Sequence, residues 1–104
     1  MQENVLSFAI QIKAGRALLG WSQADLAHRS GIARATVARI EALMMLPRLD
    51  TVGKLRQAFK DGGVIFHDDD VGNGFSIVVS DKTIEQLLAQ SKEKILEDTG
   101  TNGL

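Results

Sequence analysis

The chain has 104 residues, 44% of them apolar, and no cysteine. That gives one domain, or a small domain with an extension, and excludes disulfides, thiolate chemistry and cysteine-ligated zinc. No apolar run approaches the roughly 18 residues of a membrane span, so no membrane role is expected, and the apolar share is too high for a disordered chain. The net charge of −1 conceals a division: residues 9–61 hold nine Lys/Arg against four acids, whereas residues 62–104 hold three against eight. Such asymmetry points to one part that faces a polyanion and another that faces elsewhere.

The opening residues, MQENVLSFAIQ, carry an acid where a secretory leader carries bases, and the expectation is a cytoplasmic protein. Residues 8–19 then read as a helix. Ile10, Ala14, Ala17 and Leu18 recur at helical spacing, Ser7 is the expected N-cap and Gly20 the stop. After Trp21, Ser22 starts a second helix, with Asp25 three residues on in the arrangement of a capping box. Leu26 and Ala27 face inward, and Gly31 allows the left-handed turn that ends the helix.

The third helix is expected over residues 33–43. Val37 and Ile40 form its inner face, and Arg34, Ala35, Ala38 and Arg39 lie elsewhere. Met44, Met45 and Leu46 follow, and Pro47 forbids continuation. Asp50 or Thr51 is expected to cap a fourth helix to residue 61, with Val52, Leu55, Ala58 and Phe59 inward and Leu49 as a hydrophobic staple.

Gly62 and Gly63 end that helix. Residues 64–67 and 75–79, rich in β-branched and aromatic side chains, read as the two strands of a hairpin around a loop at 68–74. Ser80 or Asp81 caps a final helix to about residue 98, with Ile84, Leu87, Leu88, Ser91 and Ile95 in one stripe. Residues 99–104 read as a frayed tail.

The informative segment is SQADLAHRSGIARATVARIE, residues 22–41: a short helix, a tight turn at Gly31 and a second short helix. Its order of Ser22-Gln23, Leu26-Ala27, Gly31-Ile32, Thr36-Val37 and Ile40-Glu41 resembles the Cro/lambda-repressor-type (XRE-type) helix-turn-helix regulators. The resemblance runs over residues 9–66, Pro47-Arg48-Leu49-Asp50 included. It implies a mainly α fold: a lambda-repressor-like helix-turn-helix domain at 1–62, then a β-hairpin and C-terminal helix at 63–104.

The resemblance further implies a sequence-specific regulator of transcription in a bacterium or phage, nucleoid-associated and acting on double-stranded DNA. Gln23 is implied as a phosphate contact. Arg34, Ala35 and Arg39 match base-facing positions, Thr36 one near the backbone, and Arg48 one that approaches phosphates or the minor groove. Ala33 departs from the family's capping Ser or Thr, and Ala35 offers only a methyl, which suits thymine.

Such domains bind as two-fold dimers. The expected dimerisation residues are Val64, Phe66, Ile77 and Val79 of the hairpin and Ile84, Leu88 and Ile95 of the final helix. Promoter occlusion by a dimeric repressor is the simplest mechanism. The alternative is an antitoxin-like module that neutralises a partner protein and uses DNA binding for autoregulation. Met44, Met45 and Leu46 either tuck under the fourth helix or form a patch for such a partner, as does the C-terminal helix.

No enzyme chemistry is expected, because no nucleophile–base pair or phosphate loop is present. No cofactor is expected either. Asp68, Asp69 and Asp70 with Gly72, Asn73 and Gly74 miss the calcium-loop spacing, because Val79 stands at the twelfth place. That stretch reads as a solvated loop, and His28 and His67 as surface residues rather than metal ligands.

Overall fold

The computed structural model describes the backbone of residues 2–101 and the side chains of residues 6–97. The elements run α1 (Gln2–Leu19), α2 (Gln23–Ser30), α3 (Arg34–Glu41), α4 (Leu49–Asp61), β1 (Val64–Asp68), β2 (Phe75–Val79) and α5 (Asp81–Thr101). The architecture is mainly helical, with one antiparallel hairpin and a terminal helix.

The core gathers Phe8 and Ile12 of α1, Leu26 of α2, Val37 and Ile40 of α3, Leu55, Ala58 and Phe59 of α4, and Val64 and Phe66 of β1. At its centre Phe59 stacks on Trp21 with centroids 5.5 Å apart and meets the Phe66 ring edge-on at 5.2 Å. Such ring pairs add to what burial alone contributes. Gly15 lets α1 approach this aromatic group, since a Cβ there would lie 2.7 Å from the Phe59 ring and 2.8 Å from Phe66.

The hairpin pairs Val64 with Val79, Phe66 with Ile77 and Asp68 with Phe75. Alternation along β1 sends Val64 and Phe66 into the core and Ile65 and His67 outward. The polar end of the strand is tied down as well. The Asp68 carboxylate accepts from Gln11 Nε2 of α1 at 2.7 Å and from Arg56 of α4 at 3.1 Å. Asp68 therefore belongs to β1 and not to the solvated loop expected at 68–74.

Four helix ends differ from expectation. α1 starts at Gln2, not residue 8. Ser7 caps nothing; it is buried inside the helix, where its hydroxyl accepts from Gln11 Nε2 at 3.4 Å. The inward face of α1 is Phe8, Ile12 and Gly15, whereas Ile10 and Ala17 are exposed. The larger Phe8 and Ile12 enter the core, and of the expected stripe Leu18 packs on the core's edge and Ala14 is half-buried.

α3 stops at Glu41, two residues early. Leu43 takes a left-handed conformation at φ 59°, so that its N–H reaches the Ile40 carbonyl at 3.1 Å and the Met44 N–H reaches the Arg39 carbonyl at 2.8 Å. This closure ends the helix before Pro47 can act. α4 starts at Leu49 on the extended Arg48, which gives no side-chain cap. Asp50 sits in the first turn instead, and Leu49 is exposed, so neither the expected cap nor the staple forms.

α5 extends to Thr101, so residues 99–101 of the expected tail are helical, while residues 102–104 lie outside the described residues. Ser80 caps it, its Oγ accepting from the Thr83 N–H at 3.2 Å. Thr83 is buried over Gly63, where a Cβ would collide with Thr83 Oγ1.

Candidate nucleic-acid interface

The helix pair α2–α3 is fixed at its start, its turn and its end. Ser22 and Asp25 form the full capping box: the Ser22 hydroxyl accepts from the Asp25 N–H at 3.0 Å, and the Ser22 N–H donates to Asp25 Oδ2 at 2.8 Å. The bond from the Ser22 N–H, with the Ser22 hydroxyl beside it, holds the Asp25 carboxyl below the usual aspartate range. Gly31 takes the left-handed turn at φ 74°. Ala33 provides no side-chain cap for α3, and the first turn of α3 carries no acid. The positive end of that helix dipole therefore has no acid in its own first turn to complement it.

Glu41 locks the far end of α3. Although it is buried, its carboxylate is satisfied by two planar bonds from Arg16 of α1, Nε to Oε2 at 2.7 Å and Nη2 to Oε1 at 2.8 Å, and by Gln23 Nε2 of α2 at 3.1 Å. Arg16 also donates to the Trp21 carbonyl at 3.0 Å. The carboxylate holds the Arg16 guanidinium above its already high ordinary value. One fork thus binds α1, α2 and α3 together, with the geometric strictness of a bidentate arginine–carboxylate pair. The sequence reading took Glu41 only as the last letter of a motif. Its apolar neighbours Val37 and Ile40, at positions that face inward, were the signal that Glu41 is buried too.

The outer side of α3 is small and basic. Arg34, Ala35, Arg39 and Ala42 are exposed, whereas Val37 and Ile40 are buried. Ala35, Arg39 and Ala42 follow one row at helical spacing, with Arg34 beside it. Thr36 is half-buried at the flank. Arg48, exposed, stands at the start of α4. Gln23 is half-buried at the start of α2, with its amide engaged by Glu41.

The basic surplus is not uniformly available. Arg16 is committed to Glu41, and Arg56 to Asp68 and, at 5.3 Å, to the Phe8 ring. Arg29 lies 4.4 Å over the Trp21 ring. Arg34, Arg39 and Arg48 have no ion-pair or aromatic partner among the described residues. They are charges that no described residue pairs, and Arg34 and Arg39 stand on a helix whose small residues admit a close approach.

The expected dimerisation residues separate. Val64 and Phe66 lie in the chain's own core. Alternation puts both on one face of β1, and that face is the one packed on the helices, with Ile65 and His67 on the other. Ile77 and Val79 pack half-buried against the same core, while Ile84, Leu88 and Ile95 are exposed. The methionine stretch divides as well: Met45 packs on the core, and Met44 and Leu46 are exposed.

Among the described residues no three His, Cys, Asp or Glu come together in a way that could hold a metal ion, and no helix is long and apolar enough to cross a membrane. Residues 12–60 match a family model described as helix-turn-helix. No curated protein matches the chain.

Proposed function

Starting from a chain whose residues 12–60 form a helix-turn-helix domain of the XRE/lambda-repressor type, and which is on that ground a DNA-binding regulator of transcription, we propose that it is a dimeric repressor. It lays α3 in the major groove of its operator and occludes a promoter. One observation carries the contact: Arg34 and Arg39 are exposed beside Ala35 and Ala42 and have no ion-pair partner among the described residues. An arginine bound bidentately to a guanine is the commonest specific contact in the major groove, and the alanine methyls suit thymine.

In this reading Arg48 and Thr36 approach the phosphate backbone. Gln23 acts as a phosphate contact while its amide stays anchored to Glu41. The uncapped start of α3 favours an anion nearby. Residues 1–62 read DNA and residues 63–104 serve assembly, with Val64 and Phe66 excepted as core. The protein works in the cytoplasm, on the nucleoid, by binding and not by catalysis.

A second reading has its own support. Met44 and Leu46 are 75% and 66% exposed, and Leu43 and Leu49 beside them in sequence are exposed too. Such an apolar run on a small protein suits a protein partner, as the antitoxin-like alternative requires.

The test is selection of bound sequences from a randomised DNA pool, followed by titration of the enriched site by fluorescence anisotropy. Enrichment of an inverted repeat, with affinity lost in Arg34→Ala and Arg39→Ala, supports the repressor reading. If no sequence is enriched, or if both variants bind the enriched site as the parent does, the reading fails.

A further inference from the structure

The first two turns of α5 dock on their own protomer and the rest of the helix projects from it. Thr83 is buried over Gly63, and Leu87, one turn on, is half-buried. From Leu88 to Glu97 every residue is exposed. Rotated by one position from the docked face lies a second apolar row, Ile84, Leu88, Ser91 and Ile95, whose aliphatic members are 38%, 52% and 62% exposed. Its spacing of four, three and four is that of a coiled-coil seam.

We propose that this row is the seam on which α5 pairs antiparallel with α5 of a second copy, in the register that sets Ile84 opposite the partner's Ile95 and Leu88 opposite the partner's Ser91. This rests on, and makes specific, the assembly role given above to residues 63–104. Charge decides the direction. In this register one flank of the seam sets Glu85 of one helix beside the partner's Lys92, and the two-fold axis repeats the pair farther along the same flank. The parallel alternative brings Lys92 beside the partner's Leu87 and makes no such ion pair.

Shape favours the same direction. Antiparallel pairing lays the bare half of each helix beside the half of the other that carries its protomer body. The two points of attachment at Thr83 are then thirteen residues apart along the pair, about 20 Å at 1.5 Å per residue. That separation keeps the two protomer bodies apart along the pair.

The parent chain has no cysteine, so single cysteines report the register without background. Ile84→Cys and Ile95→Cys are each made in the full chain and oxidised alone and as an equimolar mixture, without DNA. A covalent dimer is expected from the mixture and not from either variant alone, because like positions lie about 16 Å apart along the seam, beyond the roughly 7 Å Cα separation a disulfide spans. Cross-linking of Ile84→Cys alone means a parallel pair and overturns the proposal, as does no cross-link in the mixture. In light scattering, Glu85→Lys is expected to shift the parent's dimer mass toward monomer, and Glu85→Lys with Lys92→Glu to restore it. A parent that is monomeric, or a double variant no better than the single, also overturns it. None of these readouts involves DNA, so a failure of the operator reading leaves them unmoved.

Discussion

Arg16 and Glu41, twenty-five residues apart, meet in a planar fork with both N···O distances under 2.9 Å. The fork joins the first helix to the last residue of α3. Glu41 is buried and Arg16 only partly so, so removing the carboxylate leaves a guanidinium facing an empty acceptor site. Taking one partner from a buried pair costs about 3–5 kcal/mol. The partial exposure of Arg16 places Glu41→Ala at the lower end, about 3 kcal/mol, as read by urea denaturation.

Arg34→Ala and Arg39→Ala are expected to weaken binding at the selected operator by about 1–3 kcal/mol each and to leave thermal unfolding unchanged. Arg48→Ala should act differently. A lost phosphate contact weakens operator and random DNA alike and reduces the slope of log affinity against log salt by about 0.9. Anisotropy titrations at several salt concentrations separate the two behaviours.

Gly15→Ala tests how closely α1 approaches the ring cluster. Helix propensity favours alanine by about 1 kcal/mol. Its Cβ would stand under 3 Å from two buried phenylalanines, and overpacking of that kind costs about 1–3 kcal/mol. A net loss is expected, seen as a lower melting temperature, whereas propensity alone predicts a rise.

Leu43→Gly should stabilise the protein by about 1 kcal/mol. The leucine holds φ 59° with its side chain mostly in solvent, a conformation that costs a Cβ-bearing residue and costs glycine nothing. Differential scanning calorimetry reads the gain.

The Ser22–Asp25 box gives a pH dependence of known sign. Asp25 is held below its unfolded value by bonds to Ser22. Its contribution is therefore complete above the ordinary aspartate pKa and is lost as pH falls through the lower folded value. Ser22→Ala should remove about 1 kcal/mol near neutrality and flatten the acid limb of a stability–pH curve measured by denaturation.

The two elements of the reading motif were legible because their signals are local: Ser22 with Asp25, Gly31, and the inward Leu26, Val37 and Ile40. The hairpin was legible for the same reason, in its alternation and β-branched content. What escaped depends on the third dimension. Gly15 looks like a defect in a helix until Phe59 and Phe66 arrive beside it. Glu41 looks like a surface acid until Arg16 and Gln23 close on it. Val64 and Phe66 have the pattern of an interface strand, and only the packing of β1 on α1 and α4 assigns them to the core. The left-handed Leu43 was hidden because that conformation favours glycine, and the sequence puts a bulky aliphatic there.

The hold of Gln11 and Arg56 on Asp68 reaches beyond the hairpin it anchors. A slip of one residue would turn Val64 and Phe66 to solvent and pull Asp68 away from both donors, so the strand pairing is fixed from below. The Asp69 N–H closes the loop onto the Gly74 carbonyl at 2.9 Å, and Asp70, Val71 and Asn73 stand exposed above that clasp. Extra length there costs the fold little, because the loop-closure penalty grows only slowly with length. Residues 70–73 are thus the natural port for an inserted epitope or fluorophore-binding peptide.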